Sequence, residues 1–321
     1  MSETATGRQS HFVAPVEETP LDAVDSLNEA APPTSQWAEA WHKLRRQPMF
    51  IISALLVVLI MIVVLFPQWF SAINPLVADG ENCRLANSLG PPAPGHIFGY
   101  DKQGCDVFAQ VIYGARPSVL VGVLTVILTL VVGGALGALA GYYGRWLDAI
   151  ISRTSEIFYA VPLVLAAIVL LSAFRARGGV GLAGVVLVMG AFGWPQMCRI
   201  TRGAVLAVRN ADFVKASTAL GVSRVRILIR HVLPNSAASM IVTATVSLGT
   251  YIVAEATLSF LGVGLPRAMH SWGMQIGDAK DWLRQAPEVL FYPAGALAIT
   301  VLAFIMMGDA VRDALDPKAR G

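Results

Sequence analysis

The sequence predicts an all-α, polytopic membrane protein with about six transmembrane helices. Of its 321 residues, 55% are hydrophobic and only 14% are charged, whereas an ordinary soluble domain is about 25% charged. Long apolar runs recur along the chain, and most are close to the roughly 20 residues that a helix needs to cross a bilayer. The formal net charge is only +3 and the basic residues are scattered, which excludes a nucleic-acid-binding surface.

Six segments carry the spanning pattern. The first contains no charged residue, and the others include Gly and Pro, which membrane helices tolerate. The fourth is short and rich in glycine, and Pro195 within it marks either a kink or an end. The predicted spans are residues 49–69, 118–140, 149–173, 181–197, 237–261 and 290–307.

These spans divide the chain into five regions. Residues 1–48 are polar and acidic without apolar periodicity, which predicts a disordered tail. No apolar run follows Met1 closely, so a signal peptide is not expected. The remaining regions are a first transmembrane helix at 49–70, a loop at 71–116, a core at 117–309 and a tail at 310–321.

Basic residues predict the orientation, because Lys and Arg are retained on the cytoplasmic side of short loops. If the N-terminus is cytoplasmic, most of the 24 Lys and Arg residues lie in the segments on the cytoplasmic side of the membrane. An even number of spans then returns the C-terminus to the cytoplasm. The loop 71–116 is extracytoplasmic in this arrangement.

The loop 199–234, between the fourth and fifth spans, is longer than an ordinary connection. Asn210 or Asp212 can cap a short helix that ends before Gly221, and Ser223 can cap a second helix that Pro234 limits. The loop is therefore expected to be ordered, with two short helices outside the bilayer. Its basic residues fit either a docking surface for a partner or an anchor for membrane lipid headgroups.

Two of the three cysteines, Cys83 and Cys105, lie in the loop 71–116. An extracytoplasmic compartment is oxidising, so they form either a disulfide or two unpaired thiols. Cys198 falls on the cytoplasmic side, where a free thiol is expected.

No catalytic or metal site is predicted. The chain has no Gly-Lys dipeptide and therefore no phosphate-binding loop of the GxxxxGK[ST] form. Its five histidines are scattered, and none has the spacing of a metal motif.

The segment 213–235, FVKASTALGVSRVRILIRHVLPN, resembles the cytoplasmic EAA motif of binding-protein-dependent importer permeases. The spacing of that motif is kept, although Lys215 stands where the family has Glu and Ser217 where it has Ala. In this family the loop docks on an ATPase, with the coupling helix at residues 212–221 here. The resemblance assigns ATPase coupling to Phe213, Lys215, Ala216, Ser217, Gly221, Arg224, Leu233 and Pro234.

Further segments resemble the oligopeptide, dipeptide, opine and nickel branch of these permeases, and most closely its second, or "C", component. They are HIFGYDKQGCDVFAQVIYG at 96–114, where Cys105 replaces the usual Arg, AEATLSFLGVG at 254–264 followed by Ser271, Trp272 and Gly273, and GDAVRDALDP at 308–317. The resemblance covers roughly residues 40 to 320.

The resemblance implies a type I ABC importer transmembrane domain in a bacterial cytoplasmic membrane, acting as the permease subunit for oligopeptides or dipeptides. Its implied partners are a homologous permease, two ATPase subunits or domains, and an extracytoplasmic substrate-binding protein. ATP and Mg would bind only to the ATPase partners, and this chain would hold no cofactor. Nickel, opine or glutathione cargo is the alternative within the class, and a self-sufficient secondary transporter or channel is the alternative outside it.

Two features near the predicted outer boundary stay open. Glu255 lies about 21 residues after Pro234, or roughly 30 Å along a helix, which predicts a hydrated position at the outer edge of the fifth span. A structural or gating ion pair and a substrate contact, with the free amine of a peptide, are equally compatible with it. Trp272 and Trp282 in the segment 263–287 fit either interfacial anchors or a docking patch.

Overall fold

The computed structural model describes residues 36–75, 83–176 and 181–315. This part of the chain is helical, with a few isolated β-bridges and no extended strand. Of the predicted tail 1–48, residues 36–48 are described. Of the predicted tail 310–321, residues 310–315 are described. The rest of each tail lies outside the described residues.

Eleven α-helices follow one another in the described ranges. They are α1 (Gln36–Leu44), α2 (Pro48–Leu65), α3 (Val107–Tyr143), α4 (Arg145–Ala160), α5 (Leu163–Arg175), α6 (Leu182–Arg209), α7 (Asp212–Ala219), α8 (Arg224–Ile227), α9 (Leu233–Phe260), α10 (Trp272–Ala279) and α11 (Glu288–Leu315).

The prediction of an all-α membrane protein with about six spans is confirmed. Among the described residues, five helical segments are long and apolar enough to cross a membrane: α2, α3, α6, residues 224–260 and α11. The helices α4 and α5 make a sixth span when they are taken together.

The predicted third span, 149–173, is not one straight helix. It breaks between α4 and α5, whose axes are bent by 79°. Val161 lies directly before Pro162 and has an extended backbone. Proline disfavours the helical conformation of the residue before it, which explains why α4 ends here. The apolar composition continues through the break, so hydropathy alone does not reveal it.

Residues 36–44 correct part of the predicted disorder in the tail 1–48. They form α1, which buries Ala40 and Leu44 and packs against α11. The helix α1 is amphipathic, and its apolar face packs on α11.

The centre of the bundle is the contact of α3 with α6. Gly133 and Gly137 of α3 face the carbonyl groups of Trp194 and Cys198 in α6, and a methyl group at either glycine would overlap these oxygens. Small residues four positions apart let two helix backbones approach closely in a membrane protein. This contact fixes the frame on which both ends of the bundle are built.

Candidate functional site

The two ends of the bundle carry the residues that the sequence singled out. We call the end with residues 210–234 the loop end, and the end with residues 83–106 and 262–287 the lid end. All the coupling residues predicted from the sequence lie at the loop end, whereas Glu255, Cys83 and Cys105 lie at or near the lid end.

At the loop end, α7 is held on the bundle by one buried side chain. Val214 is buried in an apolar cluster with Val205 of α6, Ala138 of α3 and Ile227 of α8. The rest of α7 faces outward. The helix is therefore a short rod anchored on one side and exposed on the other.

The start of α7 differs from the prediction that Asn210 or Asp212 would cap it. The cap residue is Ala211, without a side-chain hydrogen bond, and Asp212 is the first residue of the helix. The carboxylate of Asp212 instead lies 3.0 Å from Nζ of Lys215, and both side chains are largely exposed. Such a pair contributes little to stability because water screens it.

The end of α7 has the geometry that its sequence predicts. Gly221 has φ of +76°, a conformation that glycine adopts without strain. The amide of Gly221 donates to the carbonyl of Thr218, and the amide of Val222 donates to the carbonyl of Ser217. These two bonds form a Schellman motif, which ends the helix and turns the chain toward α8.

The outer surface of the loop end combines apolar and basic side chains. Phe213 is 46% exposed and Leu220 is 83% exposed. An exposed apolar group of this kind with a polar rim is typical of a protein interaction site. The neighbouring exposed residues are Lys215, Ala216, Arg224, Val225, Arg226 and Arg230.

The second short helix is not limited by Pro234. The helix from Arg224 continues through a π-helical segment, Leu228–Val232, into α9. Leu233 and Pro234 are the first two residues of α9, where the missing amide of proline is tolerated. Ser223 precedes α8 but makes no capping hydrogen bond. The helix that begins at Arg224 is thus continuous with the fifth predicted span.

The predicted loop 199–234 is also shorter than expected. The helix α6 runs through Pro195 to Arg209. Two of its arginines contact α4, where Arg199 lies over the ring of Tyr159 at 4.0 Å and Arg202 binds Asp148. Residues 199–209 are therefore part of a long helix and not of a loop.

At the lid end, Cys83 and Cys105 form a disulfide with an S–S distance of 2.05 Å. The carboxylate of Asp101 supports it locally, since Oδ1 accepts hydrogen bonds from the amides of Gln103 and Cys105 at 2.8 Å. The disulfide closes the described part of the loop that precedes α3.

Sequence reasoning missed a second link in this loop. Asp106 caps α3 by accepting a hydrogen bond from the amide of Ala109 at 2.6 Å, and its other oxygen lies 2.6 Å from Nδ1 of His96. An aspartate directly before a long apolar run is the signal of such a cap. The contact with His96, ten residues earlier, has no sequence signal.

The helix α10 lies across the lid end, and its first residue is not an interfacial anchor. Trp272 is buried; its amide donates to Oγ of Ser118 at 3.0 Å and its indole Nε1 donates to the carbonyl of Val111 at 2.8 Å. Gln275 donates to the carbonyls of Gln110 and His270. Both side chains bind α10 to α3.

The expectation that Glu255 is hydrated was wrong. Its exposed fraction is 0%, because the chain after α9 folds back and places α10 over it. Ser259 donates to Oε1 of Glu255 at 2.6 Å, and the amide of Leu265 donates to Oγ of Ser259 at 3.2 Å. Counting residues along α9 predicts the depth of Glu255 but not its burial by a segment that comes later in the chain.

Arg175 at the end of α5 binds the same returning segment. Its guanidinium donates to the carbonyls of Gly262, Gly264 and Leu265 at 2.5, 2.8 and 3.0 Å. The broken span is thereby tied to the lid end by three hydrogen bonds from one side chain.

Two concave surfaces among the described residues lie near these ends. A cavity of about 310 Å³ at the lid end lies between the disulfide loop and α10, with Lys102, Arg267 and Asp278 on its wall. An open groove of about 520 Å³ lies between α6, α9 and α11. Gln196 and Arg312 line this groove. The hydroxyl side chains of α9 that also line it are Ser239, Thr243, Ser247 and Thr250.

Comparison with known families gives two matches. Residues 133–321 match the family described as binding-protein-dependent transport system inner membrane component. Residues 35–91 match the N-terminal TM domain of oligopeptide transport permease C.

Three curated relatives cover most of the chain. The oligopeptide transport system permease protein of Bacillus subtilis (strain 168) is 37% identical over 286 residues, 89% of this chain and 91% of that protein. A glutathione transport system permease protein of Escherichia coli O6:K15:H31 has the same identity and coverage. A dipeptide transport system permease protein of Alkalihalophilus pseudofirmus is 35% identical over 288 residues, 89% of this chain and 91% of that protein.

A solved structure of the MetNI methionine ABC transporter in an inward-facing conformation shares the fold. Its TM-score is 0.54 at 20% sequence identity, covering 64% of this chain and 96% of that chain.

Proposed function

Since this chain belongs to the family of binding-protein-dependent transport system inner membrane components, we propose that it is the permease subunit that carries oligopeptides or dipeptides in an ATP-driven importer. The family and the fold make the chain a multi-pass membrane transport protein of the ABC importer class. Membership of this class replaces the alternative of a self-sufficient transporter or channel.

The match of residues 35–91 to the N-terminal domain of oligopeptide transport permease C carries the cargo proposal. Relatives named for oligopeptide, dipeptide and glutathione transport have nearly the same percentage of sequence identity to this chain. Glutathione, a tripeptide, is the second candidate on that ground. All three cargoes present a peptide backbone, and the hydroxyl side chains along α9 suit uncharged hydrogen bonds to it.

The groove between α6, α9 and α11 supports pairing with a homologous permease. It is open to one side in this chain, and hydroxyl side chains of α9 lie there among apolar residues. A second permease against this face would enclose it as the transport pathway. Arg312 at its wall would then meet the carboxylate of a passing peptide.

The exposed surface of α7 supports ATPase coupling through residues 212–234. Phe213 and Leu220 present apolar area to a partner, and Val214 fixes the helix to the bundle. The chain continues as helix from Arg224 to Phe260. A movement of the ATPase against residues 212–234 would therefore be transmitted to the fifth span as a rigid-body movement. Lys215 pairs with Asp212 on the same helix, so contact with the ATPase would rest on shape and apolar area.

The disulfide and the basic residues support one orientation. The lid end would face the extracytoplasmic side of a bacterial cytoplasmic membrane, where disulfides persist, and would receive the substrate-binding protein at the cavity between the disulfide loop and α10. The loop end, with both termini, would face the cytoplasm. ATP and Mg would bind to two partner ATPase subunits.

Uptake measurements in cells with and without the gene for this chain test the proposal. Labelled dipeptides, longer oligopeptides and glutathione are supplied separately, and restored uptake is sought on complementation. Loss and recovery of peptide uptake is the expected result. Unchanged uptake of all three cargoes, with a change for a cargo that is not a peptide, would overturn the cargo assignment.

A further inference from the structure

The carboxyl group of Glu255 is enclosed by hydroxyl groups. Ser259 donates to Oε1 at 2.6 Å, and Ser118 of α3 and Ser271, the residue before α10, face the same group. Among the residues that the structure describes, Oε2 of Glu255 and Oγ of Ser271 have no hydrogen-bond partner. Both atoms are buried, and a buried polar atom without a hydrogen-bond partner destabilises the fold.

No charged side chain of the described ranges is paired with Glu255. The basic groups of the surrounding elements have other contacts. Arg175 binds carbonyls after α9, Arg116 of α3 binds those of Val64 and Leu65, and Lys280 after α10 lies over Phe260. Arg267 and His270 lie on the wall of the outer cavity.

An ionised carboxylate at this position would be a buried charge without a counter-charge, the costliest arrangement for a side chain. A protonated carboxyl group removes the charge and supplies a hydrogen. In the structure Oε2 and Oγ of Ser271 are not hydrogen-bonded to each other. A rotation of the two side chains would let Oε2 donate that hydrogen to Oγ of Ser271, and both unmatched atoms would then gain a partner. The hydrogen bond from Ser259 to Oε1 is kept.

These bonds would join three elements at one point. Glu255 and Ser259 belong to α9, Ser271 begins α10, and Ser118 of α3 accepts the amide of Trp272 at 3.0 Å. We propose that Glu255 is a positioning residue that acts as a neutral carboxylic acid, holding α10 against α3 and α9 at the lid end. Its importance for uptake rests on the proposed function, whereas its protonation and its hold on α10 do not.

The test uses the full importer in membranes and a matched pair of substitutions. Glu255→Gln is neutral, accepts from Ser259 and donates to Ser271, so it should keep uptake within about twofold of the native rate. Glu255→Ala removes both bonds and should lower the uptake rate about fivefold or more. Equal loss of uptake in both variants would overturn the proposal, because it would show that the charge is required.

Two further measurements do not depend on transport. Amide hydrogen exchange in residues 262–279 should be faster in Glu255→Ala and unchanged in Glu255→Gln. The infrared difference spectrum of native protein minus Glu255→Gln should contain the carbonyl stretch of a protonated carboxyl group. Carboxylate bands in that difference, or equal exchange in all three proteins, would contradict the inference even if peptide uptake is observed. Absence of peptide uptake by the native importer, with the protonated band present, would count only against the proposed function.

Discussion

Arg202 in α6 holds the carboxylate of Asp148 in α4 through two hydrogen bonds, from Nε to Oδ1 at 2.5 Å and from Nη2 to Oδ2 at 2.7 Å. Bidentate pairs of this kind fix geometry as well as adding energy. Because α4 is the first half of the broken span, the pair secures the bent segment to the central helices.

Replacing Asp148 with Ala should lower the free energy of unfolding by about 1–2 kcal/mol, since a charge-assisted bond is lost in a partly exposed position. Glu156→Ala is the control. Glu156 pairs with Arg153 on the same helix, and both side chains are mostly exposed, so its loss should cost less than about 0.5 kcal/mol. The measurement is unfolding of the purified protein in detergent. Equal effects of the two substitutions would contradict the role of the Arg202 pair.

Substitutions at Gly221 should separate ATP hydrolysis from uptake. Valine strains a residue with φ of +76° and disturbs the end of α7, so Gly221→Val should reduce uptake about tenfold while ATPase activity and membrane insertion persist. Asparagine tolerates positive φ, so Gly221→Asn should stay within about threefold of the native uptake.

Gly203→Ala is the matched control for Gly221, because its φ is not positive and a methyl group there meets no neighbouring atom. Uptake and ATP hydrolysis are measured on the same proteoliposomes. Native uptake by Gly221→Val would rule out the assignment of α7 as the coupling helix.

The disulfide should govern thiol labelling at the lid end. On intact cells, an impermeant maleimide should label Cys83 only after reduction, whereas Cys105 is buried and should react slowly. Cys198 is buried and should stay unlabelled with or without reductant. Labelling of Cys83 that is independent of reductant would show two free thiols.

Loss of the disulfide should also destabilise the loop. The two cysteines are 22 residues apart, and closing a loop of that length is worth about 3 kcal/mol in the chain-entropy account. The variant Cys83→Ser with Cys105→Ser should therefore be cut faster by protease within residues 83–105 than the native protein. Equal rates of cleavage would mean that other contacts hold the loop.

Arg175→Lys should loosen the segment after α9. A lysine ammonium lacks the planar fork that lets Arg175 reach the carbonyls of Gly262, Gly264 and Leu265. Hydrogen exchange in residues 261–266 should rise several-fold, and Arg153→Lys, at an exposed position, should leave it unchanged. No change in either variant would show that the guanidinium is not what holds this segment.

The sequence predicts the spans well because bilayer thickness constrains the length and polarity of a helix. The left-handed residue at Gly221 is also predictable, since the end of a short helix demands it. Where a helix breaks or continues depends on local backbone geometry, so the bend at Val161 and the π-helical passage before Pro234 are not visible in hydropathy.

The misjudged position of Glu255 has a different cause. Its distance along α9 is predicted correctly, but its burial comes from α10, which returns over it from a segment that is later in the chain. The pairing of Arg202 with Asp148 is likewise a contact between distant residues. Tertiary contacts of this kind have no local pattern from which to predict them.

Site-directed crosslinking can show whether the loop end docks on an ATPase subunit. A photoactivatable label is attached to Phe213→Cys at the loop end and, as a control, to Leu85→Cys at the lid end, where the native residue is 78% exposed. In membranes that contain the whole importer, the label at position 213 should crosslink an ATPase subunit and the label at position 85 should not. An ATPase crosslink from position 85, or none from position 213, would rule out docking of an ATPase subunit on the loop end.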